Sequence, residues 1–178
     1  MKTFKLISAI AIGLCLSTLG STGARADTAA GVRKSLQSLY GKSAQAFQHK
    51  DADAACAMYD PDCTIYTQNG DAAGLVAVRD ILGKMLDVFQ KVSESTTIRS
   101  CTIASKDGVE SAKVSVVDVK NAVIFTPQGK RLAVRDVITR RDYWEKTEDG
   151  WKIKQSRILS DTGSINGKKV KDPTDYDE

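Results

Sequence analysis

Histidine is almost absent: the 178-residue chain has one, His49. That excludes a His-based zinc site, and a Ser-His-Asp triad would have to run through this single residue. No CxxC pair occurs, so neither a zinc knuckle nor a thioredoxin-type redox site is indicated. GxGxxG, GxxxxGK[ST] and GxSxG are all missing, so Gly70, Gly74 and Gly83 form no phosphate loop and no nucleophile elbow is present. No cofactor and no metal is expected. With only three prolines and ordinary hydrophobic (42%) and charged (27%) fractions, collagen-like, coiled-coil and wholly disordered chains are excluded. Long apolar runs are lacking too, apart from one near the start.

That run carries the first positive signal. Lys2 and Lys5 form a basic n-region, Leu6 to Leu19 is nearly all apolar, and Ala24-Arg25-Ala26 is a small-x-small cleavage site before Asp27. The run is shorter than the ~20 residues that span a bilayer. Residues 1–26 are therefore expected to be a cleaved signal peptide, and the protein to be exported, to a bacterial periplasm or the medium. Cys15 follows Leu14, where a lipobox wants a small residue. Removing Lys2, Lys5 and Arg25 leaves 23 basic against 22 acidic residues. That balance gives no reason to expect nucleic acid or a membrane as partner.

The mature chain has the size of one domain and keeps Cys56, Cys63 and Cys101. Export implies an oxidising compartment, and an odd count allows at most one internal bridge. Cys56 and Cys63 are near enough in sequence for a local disulfide, which leaves Cys101 as a buried thiol.

Periodicity organises the rest. Val32, Leu36, Leu39, Tyr40 and Phe47 mark a helix near 28–49. Asp51 caps a short helix 52–59, which Asp60-Pro61-Asp62 ends. Residues 63–67 read as a short strand, 68–71 as a turn, and Leu75 to Phe89 as a third helix. Strands follow at 96–104, 110–126, 132–146 and 151–160. The polar stretch 163–178 reads as a flexible tail, which leaves 27–162 as the domain. Helices followed by antiparallel strands argue an α+β fold, with helices on one face of a curved sheet. In the strand 110–126, Ala112, Val114 and Val116 share one parity and Val117, Val119 and Val123 the other, which predicts a bulge near Val116-Val117. A sheet curled around helices leaves a cone with an open end, a usual place for ligands.

Two stretches carry a resemblance: His49-Lys50-Asp51-Ala52-Asp53 followed by Met58-Tyr59-Asp60-Pro61-Asp62-Cys63-Thr64-Ile65, and Asp149-Gly150-Trp151-Lys152-Ile153. Over about residues 32–161 the chain resembles the nuclear-transport-factor-two-like superfamily, in its SnoaL-like and ketosteroid-isomerase-like branch. The resemblance implies a cone-shaped barrel, three N-terminal helices packed on a strongly curved, mostly antiparallel sheet, and often a homodimer through the outer sheet face. It implies no single activity. The position of the isomerases' general base falls on Thr67, whose hydroxyl is barely acidic. Their oxyanion-binding tyrosine falls near Ser43, with Tyr40 one turn earlier. The histidine of the cyclases and dehydratases has only His49 as counterpart, in the turn between helices. No catalytic set of the family is matched.

The last hairpin offers a binding constellation instead. A turn at 147–150 places Trp144 opposite Ile153, Asp142 opposite Gln155, and Arg140 opposite Arg157, all on one face. If that face lines the cone, Arg140, Asp142, Trp144, Gln155 and Arg157 hold an anionic or carbonyl-bearing small molecule, with Tyr40 and Thr67 beside them. If it does not, Thr139, Arg141 and Tyr143 point inward. Trp144 and Trp151 read mainly as packing residues, and Asp118 with Lys120 as a charge pair on an exposed stretch. Three functions remain: a ligand-binding protein without chemistry, an isomerase, dehydratase or hydrolase using Asp142 or another carboxylate, and an oligomerising accessory module.

Overall fold

Thr28 opens the first helix: its side-chain oxygen accepts the Gly31 N–H, satisfying a donor that the helix itself leaves unpaired. The computed structural model describes residues 28–170. The expected signal segment, and residues 171–178 of the expected tail 163–178, lie outside the described residues. Helix α1 (Ala29–Gln48) buries Val32, Leu36, Tyr40, Ser43, Ala44 and Phe47, a stripe at three- and four-residue spacing. Lys50, at φ 61°, reverses the chain, and Asp51 caps α2 (Ala52–Cys56) through the Ala54 N–H. Helix α2 is shorter than the sequence pattern predicts, because Tyr59 already pairs with the last long strand. The Ile153 N–H donates to the Met58 carbonyl.

Strand β1 (Tyr59–Tyr66) therefore starts earlier than expected. Asp60-Pro61-Asp62 is not a helix-ending turn but an irregular stretch within it, where a proline without N–H breaks no ladder bond. Then come β2 (Ala72–Gly74), α3 (Leu75–Val88), β3 (Lys91–Lys106), β4 (Val109–Phe125), β5 (Arg131–Thr147), β6 (Gly150–Ile165) and β7 (Lys168–Lys169). The sheet order is β2-β1-β6-β5-β4-β3, with β7 on β6. Every pairing is antiparallel except β1 with β6. The α+β cone is as expected, but the sheet stays open at β3 and does not close as a barrel.

Three long-strand details differ from the sequence pattern. The buried face of β4 stays on even numbers throughout: Ala112, Val114, Val116, Asp118 and Ala122. The apparent parity switch arises because one inward position is an aspartate and the outward positions are valines. The bulge lies across the ladder, at Arg99 of β3, between the pairs Ile98↔Val116 and Ser100↔Ser115. Strand β6 is bulged twice, at Lys154 and at Leu159.

The first part of the expected tail is built into the sheet. Residues 163–165 continue β6, and Asn166 and Gly167, both at positive φ, turn the chain into β7. Asn-Gly is the tight-hairpin dipeptide, and the Asn166 side chain accepts the Ala133 N–H. Finally, Cys56, Cys63 and Cys101 are all free, so the expected Cys56–Cys63 bridge is not formed. Cys63 packs in the main core cluster and Cys56 lines a cavity. Burial pushes the Cys63 thiol up to about 12. Cys101 is only half-buried.

The core lies between α1 and the concave face of β3–β6 and includes Leu36, Ile98, Val114, Trp144 and Ile153. No helix among the described residues is long and apolar enough to cross a membrane. Leu36→Ala, at a fully buried position, is expected to lower unfolding free energy by about 2–5 kcal/mol, measured by urea denaturation.

Candidate functional site

Alternation along β5 puts residues 140, 142 and 144 on the concave face, and each is buried. Asp142 is completely enclosed. Its Oδ2 accepts from the Tyr40 hydroxyl at 2.6 Å and from Arg140 Nη1 at 2.6 Å, and its Oδ1 from the Ser156 hydroxyl at 2.7 Å. Trp144 Nε1 donates to the Tyr40 oxygen at 3.0 Å, and the two rings meet edge-on at 5.3 Å. Arg140 Nε donates to Asp118 Oδ2 at 2.6 Å, and Thr96 to Asp118 Oδ1 at 2.6 Å. Arg140 Nη1 also donates to the Tyr59 hydroxyl at 3.1 Å. One guanidinium thus stands between two carboxylates, each with further hydrogen bonds. This is the condition under which buried ion pairs survive their desolvation cost.

The surroundings set the protonation states. Burial works against the Arg140 charge, but Asp142, Tyr59 and Asp118 outweigh it and hold the guanidinium protonated. Burial, then the Asp142 charge, push the Tyr40 phenol upward, so Tyr40 donates and stays neutral. Burial raises Tyr59 as well, against the pull of Arg140.

Arg140, Asp118, Tyr59, Thr96 and Ser156 form the polar wall of a cavity of about 200 Å³ inside the cone. Phe47, Met58, Leu82, Met85, Ile138 and Ile158 make the rest mostly apolar. Glu94 and Lys120, 3.7 Å apart, also line it, and burial raises the Glu94 carboxyl. Lys120 lies over the Phe47 ring at 5.2 Å. Beside Lys120 across the ladder is Asp136. Its Oδ1 is sealed from solvent and unpartnered. Burial, then the neighbouring Asp161, push its carboxyl up to about 7. A second, more open groove of about 550 Å³ lies between α1 and the β5–β6 turn, lined by Lys34, Lys42 and Lys152. No group of three or more His, Cys, Asp or Glu among the described residues could hold a metal ion.

Four sequence-predicted residues converge: Tyr40, Arg140, Asp142 and Trp144. Three do not. The bulge at Lys154 moves the register by one, so Asp142 faces Ser156 and Arg157 faces Arg141. Gln155 and Arg157 are exposed on the other face, Arg157 stacking on Tyr66 at 4.9 Å. The expected arginine pair around an anion is thereby removed. Lys154 itself reaches Asp60 at 2.6 Å on neighbouring β1. Thr67 is exposed in a turn, where its hydroxyl accepts the Asp71 N–H. Asp118 is not in an exposed charge pair: it is buried against Arg140, and Lys120 pairs with Glu94. Tyr59, Glu94, Thr96, Asp118 and Ser156 are additions. Asp118 was findable from its even position beside Val114 and Val116.

A family model for a SnoaL-like domain matches residues 29–157. No curated protein is a significant match. Solved structures share the fold at low identity. A candidate scytalone dehydratase from Novosphingobium aromaticivorans DSM 12444 is 15% identical, with a TM-score of 0.55 over 74% of this chain and 86% of that one. An NTF-2 like protein of unknown function from Shewanella oneidensis MR-1 is 15% identical, with a TM-score of 0.54 over 71% and 98%. A nuclear transport factor 2 (NTF2-like) superfamily protein from Salmonella enterica serovar Typhimurium is 13% identical, with a TM-score of 0.52 over 72% and 90%.

The Asp136 carboxyl carries a prediction. Its folded value lies above the ordinary 3.8, so the folded state prefers it protonated; stability is lost as pH rises from about 4 to about 7, and the loss then stays constant. Asp136→Asn removes that cost. The variant should melt above the parent at pH 8 and converge with it toward pH 4 in thermal unfolding scans.

Proposed function

The chain belongs to the SnoaL-like domain family, and on that premise we propose that it is an exported protein that holds a small molecule in the cone without transforming it. The observation that carries this reading is the commitment of the buried charges to one another. Asp142, the carboxylate best placed in the sequence to act as a base, accepts three hydrogen bonds and is fully enclosed. The only histidine, His49, is exposed at the end of α1. What remains is an apolar chamber with a polar wall, the usual make-up of a ligand site. At about 200 Å³ it is smaller than the roughly 300–1,000 Å³ of sites for drug-sized ligands, which favours a compact occupant.

One observation favours the second reading, an isomerase or dehydratase of the same fold. Glu94 lines the cavity, and burial lifts its carboxyl toward the range of a general base. Lys120 at 3.7 Å opposes that lift.

Native mass spectrometry of the protein purified from its own host is expected to show a co-purifying small molecule, lost in Ile138→Trp, which fills the cavity. Protein with an empty cavity that turns over a small molecule, with turnover lost in Glu94→Gln, would replace binding by catalysis.

Assembly is a further part of the proposal. The outer sheet face presents Val117, Val119, Val137 and Tyr143, the last 38% exposed, beside Ser115 and Thr139 and flanked by the charged Lys113 and Arg141, and an apolar strip with a charged rim supports a homodimer. Light scattering at micromolar concentration should give twice the chain mass, and Val119→Lys should return it to the mass of one chain.

A further inference from the structure

The hydrogen-bonding capacity of the cavity's polar wall is not all spent. Arg140 has five N–H groups. Nε donates to Asp118, and Nη1 to both Asp142 and Tyr59. Nη2 donates to no described residue, although Arg140 is only 7% exposed. Nor is Nη2 walled off. Among the described residues, Asp136 Oδ1 is the only side-chain nitrogen or oxygen both sealed from solvent and unpartnered. Beside Arg140, the Tyr59 hydroxyl accepts from Nη1, and its own proton goes to no described acceptor. Both residues line the cavity. Two residues that line the chamber thus each keep a donor, an N–H and an O–H, with no described acceptor.

Charge decides what they would receive. Arg140 brings one positive charge against the two negative charges of Asp118 and Asp142, while Glu94 and Lys120 balance each other. A carboxylate or phosphate would add a further anion to a wall already in negative excess, in a setting that screens charge poorly. A cation would meet Asp118 and Asp142 oxygens that all accept hydrogen bonds already. An uncharged acceptor gains both donors and avoids the repulsion. We propose, building on the binding reading above, that the cavity selects a compact, largely apolar molecule bearing an uncharged carbonyl oxygen, held by Arg140 Nη2 and the Tyr59 hydroxyl.

Three probes of one shape test this: acetophenone, α-methylstyrene and benzoate. Amide shifts of cavity residues in ¹H–¹⁵N NMR locate each probe and give its affinity. Acetophenone should bind tightest, on the order of 10-fold above α-methylstyrene, and benzoate weakest. Arg140 is left intact, because its removal strands two buried carboxylates. Tyr59→Phe keeps the ring and should cost acetophenone about 2–10-fold without changing α-methylstyrene. Benzoate binding tightest, ketone and alkene binding equally, or Tyr59→Phe leaving the ketone unaffected overturns the carbonyl assignment and leaves cavity binding standing. Failure of all three to perturb cavity residues at millimolar concentration overturns both.

Discussion

The guanidinium of Arg140, held between Asp118 and Asp142, is the interaction on which the interior depends. Bringing these charges out of water costs several kcal/mol per ion, and a bare triad would not repay it. Here the cost is offset by placement. Asp118 on β4, Arg140 and Asp142 on β5, and Ser156 on β6 fall on one face of neighbouring strands, and Tyr40 closes the set from α1. Geometry this demanding has a structural consequence. A one-residue slip of β5 against β4 would turn Arg140 and Asp142 outward and leave Asp118 alone in the core. The charges thus contribute less by their attraction than by excluding the slips that would turn this face outward.

The same set explains which parts were legible from sequence. Helices and long strands announce themselves through period, and Arg140, Asp142 and Trp144 share a face by simple alternation. Reading across a ladder is harder, because it assumes that no residue is added. Lys154 is such an addition, and its reason lies off the hairpin: its ammonium pairs with Asp60 of β1, a strand distant in sequence. Everything inferred beyond it, Gln155 and Arg157 included, landed on the wrong face. Asp118 was misread for a related reason. A charged residue at an inward position looks like a change of parity until its buried partner is known. The Asn166-Gly167 hairpin was hidden by composition, since a polar stretch suits a turn as well as a tail.

Helix α3 stands apart in this economy. Only Leu86 is buried, and Val76, Ile81 and Val88 are each more than half exposed. It meets the rest of the fold mainly through β1, α2 and β2, while Val78, Ile81, Leu82 and Met85 line the cavity. The wall opposite the charges is therefore the least anchored part of the cone. Low local packing of this kind lowers the free energy of local opening. The cavity thus joins a wall fixed by ion pairs and hydrogen bonds to one held mainly by a lightly packed helix.

Trp144 gives the molecule an optical property. The chain has two tryptophans, and this one is fully enclosed, with its indole N–H tied to the Tyr40 oxygen that in turn serves Asp142. Its excited state therefore samples a dry site one hydroxyl away from a carboxylate and its guanidinium. That indole, together with the core-packed Trp151, gives the protein an emission that responds in part to its electrostatic centre.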